Sequence, residues 1–239
     1  MRIAYVFQDE YPWDIRADKI TSSLASACHP TTIVSRNRSG LPVHEKLAGG
    51  LAVRRLPGPK IGLLRTLLNL PAFFSPIWLW VIYQVVKKEK IDLIMVRDLP
   101  MAPAAWFVSR LTSTPVVMDM AEDYPAMIQD TWTYRGPGKL DFIVRNPSLL
   151  RKMERWMIPR LDGVLTVSEP SSLRVQGLVG DKSVRTKVIQ NTPRLVKEKG
   201  LVESDVSKEL SALPGPVVLY VGGLEESRGL THVVDAISE

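Results

Sequence analysis

Residues 91–120 read IDLIMVRDLPMAPAAWFVSRLTSTPVVMDM. Two short apolar runs, Ile91–Val96 and Pro115–Met120, flank a helical stretch, Pro100–Leu111. Each run is continuous where an alternating one would expose one face, so each reads as a strand buried on both faces. Two such strands joined through a helix close as a parallel crossover unit. The same rhythm continues on both sides. Upstream lie strands at Ile3–Phe7, Thr31–Ser35 and Leu51–Leu56, with a helix over Ile15–Cys28 in which Ile20 and Leu24 stand one turn apart. Downstream come a helical stretch from Lys139 to Pro159, a strand at Gly163–Val167 followed by a short helix, and an edge strand at Lys187–Gln190. The fold class this predicts is α/β, a doubly wound parallel sheet occupying residues 1–192.

The character changes after that sheet. Pro193–Gly215 is polar, holds a charged helix over Glu203–Leu210 and ends in Pro214-Gly215-Pro216, which predicts a linker with a short helix over 193–216. A fresh apolar run, Val217–Val221, leads through the loop Gly222–Gly229 into another helix. Residues 217–239 therefore read as the first strand and helix of a second α/β domain, truncated at Glu239; the plainer alternative is one more strand on the edge of the first sheet.

Composition narrows the chemistry. Of 239 residues, 45% are apolar and 23% charged, a globular balance that excludes a disordered chain. The single Cys28 excludes an intrachain disulfide framework and a multi-cysteine zinc site, and His29, His44 and His232 are scattered, so no metal site is expected. Ile3–Phe7 is shorter than the apolar core of a secretory signal, so a cytoplasmic location is expected. The net charge of +6 is local: seven Lys or Arg against one Glu45 fall between Arg36 and Arg65, and the rest of the chain is balanced. Directly after this segment, Leu67–Val86 runs for twenty residues without a charge and carries Trp78, Trp80 and Tyr83 before Lys87-Lys88. By length it would cross a bilayer. Pro71 and Pro76 interrupt it, and a span would put the strands at Ile3–Phe7 and Ile91–Val96 on opposite sides of a membrane. A half-buried helix is the first expectation and a membrane-resting helix the second, with 36–88 as a docking surface for anionic lipid and no nucleic-acid partner.

In open parallel sheets ligands gather outside the carboxyl ends of the strands. Those positions hold Gln8–Asp14, Arg97-Asp98, Asp119–Tyr124, Ser168-Glu169, Asn191 and the Gly222–Arg228 loop. Asp14, Ser168 and Asp123 also suit helix N-caps, with Glu169 favourably placed against the helix dipole, and Asn191 suits a plain turn. Asp119 and Glu122 are harder to explain structurally, since two carboxylates at the end of a buried strand are costly unless they bind or react. Gly222-Gly223 after a strand, with Arg228 ahead of a helix, lets backbone N–H groups approach a phosphate, although neither a dinucleotide nor a P-loop fingerprint is present.

These stretches, in this order, resemble family-four retaining glycosyltransferases of the GT-B fold. Asp14-Ile15-Arg16 is similar to the Asp-Pro-Arg element of that family, and IDLIMVRD and PVVMDMAEDYP to two of its strand ends. RLDGVLTVSE, KVIQNTP and VVLYVGGLEESRGL are similar to its later elements, so the resemblance covers essentially the whole chain. It implies a Rossmann-like acceptor domain and the start of a donor domain. The enzyme would move a sugar from a nucleoside-diphosphate sugar to an acceptor hydroxyl, with retention and without a metal or other cofactor. The site roles expected with it are these: Asp119 and Glu122 catalytic, in place of the family's histidine; Gly222, Gly223, Arg228, Ser168, Glu169 and Asn191 toward the nucleotide-sugar; Asp14, Arg16, Arg97, Asp98, Asp123 and Tyr124 toward a glycan or lipid-linked acceptor. Three positions depart from the family pattern: Gly223 stands where an Arg is usual, Arg228 where a Lys is usual and Ala121 where a His is usual. The 239 residues alone are expected to be inactive. The rival readings are a non-catalytic, membrane-side acceptor-binding partner and another GT-B enzyme such as a sugar-nucleotide epimerase.

Overall fold

The computed structural model describes residues 1–57, 72–138, 141–180, 184–192, 205–224 and 228–238. They form two compact units, Met1–Asn191 and Thr192–Glu239. In the first unit the strands are β1 (Ile3–Glu10), β2 (Thr31–Arg36), β3 (His44–Lys46), β4 (Leu51–Arg55), β5 (Leu93–Arg97), β6 (Val116–Asp119), β7 (Gly163–Thr166) and β8 (Arg185–Val188). They make one eight-stranded sheet in the order β3-β4-β2-β1-β5-β6-β7-β8. Every pair is parallel except β3–β4. The helices are α1 (Ile15–Ser26), α2 (Pro76–Lys88), α3 (Asp98–Thr112), α4 (Tyr124–Arg135), α5 (Asp141–Val144), α6 (Pro147–Met157) and α7 (Glu169–Val179). This is the doubly wound α/β sheet expected from the 91–120 stretch, and β1 pairs with β5 as the membrane argument required.

Side chains alternate across the sheet. Ala4 and Val6 of β1 face the layer formed by α2, α3, α6 and α7, and the main core lies there, around Trp78, Ile82, Met101, Met118 and Met157. Ile3, Tyr5 and Phe7 face the other way and are covered by α1 through Ala17, Ile20 and Leu24. Strand pairing sets Met95 and Arg97 of β5 beside this second row, with Asp119 of β6 opposite Arg97. The polar ends of these strands therefore converge under the first turn of α1.

Local chemistry moves several element boundaries. The helical stretch beginning at Lys139 is two helices, because Asn146 caps α6 by accepting from the N–H groups of Ser148 and Leu149 ahead of Pro147. Residues 139 and 140 lie outside the described residues. Strand β3 is an addition: His44–Lys46 turns back along β4 and guards the sheet edge with exposed His44 and Lys46. In the apolar stretch 67–86, residues 67–71 lie outside the described residues, and Pro76 opens α2 at its first turn. Trp78, Val81, Ile82, Val85 and Val86 are buried, whereas Trp80 and Tyr83 are exposed. That is the half-buried helix, and no helix among the described residues is long and apolar enough to cross a membrane.

The basic segment is less available than its charge count suggests. Arg55 is buried against Glu45, at 2.7 Å, and Arg38 pairs with Asp9 at 3.3 Å. Lys60 and Arg65 lie outside the described residues.

In the second unit, α8 (Asp205–Ser211) and α9 (Leu230–Ser238) are helical. The expected strand Val217–Val221 is corrected: these residues are exposed and make no ladder. An apolar run becomes a strand only beside another strand that takes up its N–H and C=O groups, and the described residues of the second unit include no strand.

Candidate functional site

The polar centre begins with Arg16 in the first turn of α1. Its Nη2 lies 2.6 Å from Asp119 Oδ1 and its Nε 3.1 Å from the same oxygen. Its Nη1 donates to the Ile189 carbonyl at 3.1 Å. The Tyr5 hydroxyl donates to Asp119 Oδ2 at 2.8 Å. Asp119 is fully buried and Arg16 nearly so. Burial, together with the Asp119 charge, holds the Tyr5 phenol protonated far above its ordinary range. With both carboxylate oxygens engaged and the side chain fully buried, Asp119 holds α1, β1 and β6 together.

One step nearer the surface, Asp14 caps α1 by accepting from the Ala17 N–H at 2.7 Å, and the same oxygen takes Arg97 Nη1 at 2.6 Å. Arg97 also donates to Asp98 at 3.0 Å, and its guanidinium lies 5.8 Å from the Phe7 ring centroid. Burial disfavours the Arg97 charge, but the Asp98 and Asp14 carboxylates outweigh it and keep the group firmly cationic. Asp98 accepts from the Ala121 N–H at 2.8 Å, tying the end of β5 to the end of β6. Burial raises its carboxyl to about 6, against the opposing pull of Arg97 and that backbone bond.

Beside this network opens a cleft of about 360 Å³ lined by Phe7, Asp9, Glu10, Trp13, Asp14 and Arg38. Trp13 is 80% exposed at its rim, an unusual position for so large an apolar ring. Glu10 is anchored by the N–H groups of Arg38 and Ser39 and by the Ser39 hydroxyl. The Ser39 backbone bond leads the effects that lower its pKa. Arg36, at the end of β2, carries a buried Nε without a hydrogen-bond partner, and burial lowers its pKa.

The structure thus brings together Asp14, Arg16, Arg97, Asp98 and Asp119. The others are placed separately. Asp123 caps α4 through Ala126 and pairs with Arg174, which also grips buried Glu154 at 2.8 and 3.0 Å. Tyr124 begins α4 half-buried, its hydroxyl held protonated chiefly by burial. Glu122 is exposed. Ser168 caps α7, with Glu169 exposed in its first turn, and Asn191 is exposed beyond β8. Gly222, Gly223 and Arg228 belong to the second unit; the Gly223 carbonyl accepts from the Tyr220 hydroxyl, Arg228 is exposed, and residues 225–227 lie outside the described residues.

Sequence reasoning passed over Tyr5 and Arg36, and reached Trp13 only as a member of the Gln8–Asp14 stretch. Tyr5 reads as an ordinary core residue of β1, and Arg36 was counted only as charge. Trp13 had a usable signal, a large aromatic ring in the loop at the carboxyl end of a strand.

Comparison with known proteins agrees with the fold. The profile of the glycosyl transferase 4-like domain matches residues 15–192. No curated protein sequence matches the chain. Among solved structures, it is similar to sucrose-phosphate synthase from Thermosynechococcus elongatus, with TM-score 0.59 and 12% identity over 79% of this chain and 47% of that one. A UGT transferase from Siraitia grosvenorii in complex with UDP gives TM-score 0.53 and 11% identity over 88% and 54%. Phytolacca americana UGT2, complexed with UDP-2fluoro-glucose and pterostilbene, gives 0.57 and 11% over 89% and 57%. The chain spans about half the length of these structures. At such identities the likeness carries the fold, a Rossmann-like domain of the GT-B type.

Proposed function

This chain belongs to the glycosyl transferase 4-like domain family, and from that premise we propose that it forms the acceptor side of a retaining glycosyltransferase. In this reading a sugar passes from a nucleoside-diphosphate sugar to an acceptor hydroxyl, on a glycan or a lipid-linked glycan. The observation that carries it is the open cleft at the carboxyl end of β1. An exposed indole offers a flat apolar face to a pyranose ring, while Asp9 and Arg38 beside it offer an acceptor and a donor to sugar hydroxyls. Asp14 lines the cleft and is held in place by Arg97, which is itself tied to Asp98.

Two assignments of the carboxylates follow. Asp119 acts as a positioning residue, because its oxygens are consumed by Arg16 and Tyr5. Glu122, exposed at the end of β6, is the carboxylate able to meet a substrate. On the donor side we assign Gly222, Gly223 and Arg228 to the diphosphate, and Ser168, Glu169 and Asn191 to the rest of the nucleotide-sugar. Backbone N–H groups and a guanidinium aimed at the leaving diphosphate stabilise charge as it develops. In this scheme these groups meet the charge of the leaving diphosphate without a metal.

The test is saturation-transfer NMR of the 239-residue chain with a panel of neutral oligosaccharides. Saturation of the sugar protons is expected, with loss of at least about tenfold in affinity for Trp13→Ala and unchanged thermal melting, as for removal of a central aromatic contact. Equal binding by Trp13→Ala and the parent overturns the assignment of the cleft.

A further inference from the structure

The layer of helices on the core side of the sheet has an outer surface of unusual chemistry. Trp80 and Tyr83 of α2 are 52% and 36% exposed, Phe107 and Leu111 of α3 are 47% and 58%, and Trp156 of α6 is 40%. In each helix the opposite face is in the core, so these residues point outward. Adjacent helices join them: Trp106 meets Trp156 edge to face at 5.3 Å, and the Arg160 guanidinium lies 4.4 Å over the Trp156 ring. A single exposed aromatic residue is ordinary, but this many on one layer is not.

The charges between them have one sign. Lys87, Lys88, Arg110, Arg151, Lys152 and Arg155 are exposed on the same three helices. The acidic residues of those helices are only two. Asp98 is tied to Arg97 and Ala121, and Glu154 is buried under Arg174. A face of aromatic and aliphatic side chains ringed by unneutralised cations has the composition of a surface that rests on anionic lipid: the rings sit at headgroup depth while Lys and Arg meet the phosphates. A second copy of the chain fits poorly, because two such faces would oppose cation to cation. A nucleic acid gives Phe107 and Leu111 nothing to bury against.

We propose that the outer face of α2, α3 and α6 docks this protein on an anionic bilayer. The surface expected over 36–88 is thereby narrowed to α2 and extended to two helices far along the chain. The basic residue Arg55, buried against Glu45, drops out of it, and Arg38 lies at the cleft instead. The proposal is independent of the cleft and of the transfer reaction.

Flotation of the 239-residue chain with lipid vesicles tests it. Recovery with vesicles containing about one third phosphatidylglycerol should exceed that with pure phosphatidylcholine by roughly tenfold and fall in high salt. Phe107→Ser/Leu111→Ser and Arg110→Glu/Arg155→Glu should each lower recovery by about fivefold or more, with Trp80→Ser/Tyr83→Ser as the alternative should the first variant melt early. Two controls should stay within about twofold of the parent: Lys46→Glu on β3, and Val218→Ser/Val221→Ser in the exposed apolar run of the second unit. Equal recovery with both kinds of vesicle, or loss confined to the controls, overturns the proposal. So does a sedimenting dimer that Phe107→Ser/Leu111→Ser dissociates without changing flotation, since the face would then belong to a second copy.

Discussion

Asp98 combines three individually costly choices. Its backbone is left-handed, with φ of 56°, a conformation that costs an L-residue about 1–2 kcal/mol, though Asp tolerates it better than most. Its carboxylate is nearly buried, and it closes the Arg97–Asp98–Ala121 link between two strand ends. Burial raises its carboxyl from 3.8 to about 6. The sign of the consequence follows from proton binding. Between pH 4 and 6 the folded protein holds a proton here that the unfolded chain has released, so Asp98 subtracts stability as pH rises through that window and by a constant amount above it. In Asp98→Asn this slope is absent. Thermal melting of parent and variant across that window should show the parent losing a few degrees relative to the variant, and no further divergence above pH 7. Parallel curves would mean that Asp98 titrates as an ordinary surface carboxylate. The residue was visible in the sequence as a carboxylate at a strand end, but its raised pKa was not, because burial there depends on the turn after β6 that delivers the Ala121 N–H.

At the scale of elements, the Arg16–Asp119 pair fastens the first turn of α1 to the end of β6, more than a hundred residues away in sequence. Removing one member leaves the other charge buried and unpaired. Asp119→Asn should therefore cost ~3–5 kcal/mol, read from the urea midpoint. The triple variant Tyr5→Phe/Arg16→Met/Asp119→Leu, which leaves no polar group behind among these three, should recover most of that loss. Failure of the triple variant to recover would show that the pair sets the position of α1 beyond its own energy. The same pair marks what could be read from sequence. Seven of the eight strands were legible, five of them as continuous apolar runs or as a β-branched run such as Thr31–Ser35, because burial on both faces leaves a pattern in a single stretch. The edge strand β3 was not legible, since His44-Glu45-Lys46 has the composition of a loop and becomes a strand only by pairing with β4. The site was legible as positions but not as roles. Asp14, Ser168 and Asp123 could be named as caps from the residue before a helix. Whether a strand-end carboxylate faces substrate or a buried arginine depends on a partner that α1 delivers from elsewhere in the chain, and nothing local to Asp119 encodes it.

For the whole molecule, the division at Asn191 makes the sharpest statement about stability. All eight strands, their covering helices and the three apolar clusters lie in Met1–Asn191. A chain of this length buries roughly 70% of its unfolded surface and supports a core of its own. The second unit is different in kind: its helices α8 and α9 are short, and Val217, Val218, Leu219, Tyr220 and Val221 are exposed. Residues 1–191 expressed alone should therefore melt in one cooperative transition, within about 5 °C of the 239-residue chain, since a shift of that size corresponds to only ~1–2 kcal/mol at this length. Near-ultraviolet circular dichroism should be equally preserved, because Trp78 and Tyr5 sit in clusters wholly inside that unit. A broad transition, or loss of the near-ultraviolet signal, would show that the sheet depends on Thr192–Glu239 for its packing. The comparison also separates two explanations of solubility. If Val217–Val221 is the main exposed apolar feature, 1–191 should be markedly less prone to aggregate than the longer chain. If the outer face of α2, α3 and α6 dominates, the shorter chain should aggregate equally, and anionic vesicles should keep both in solution.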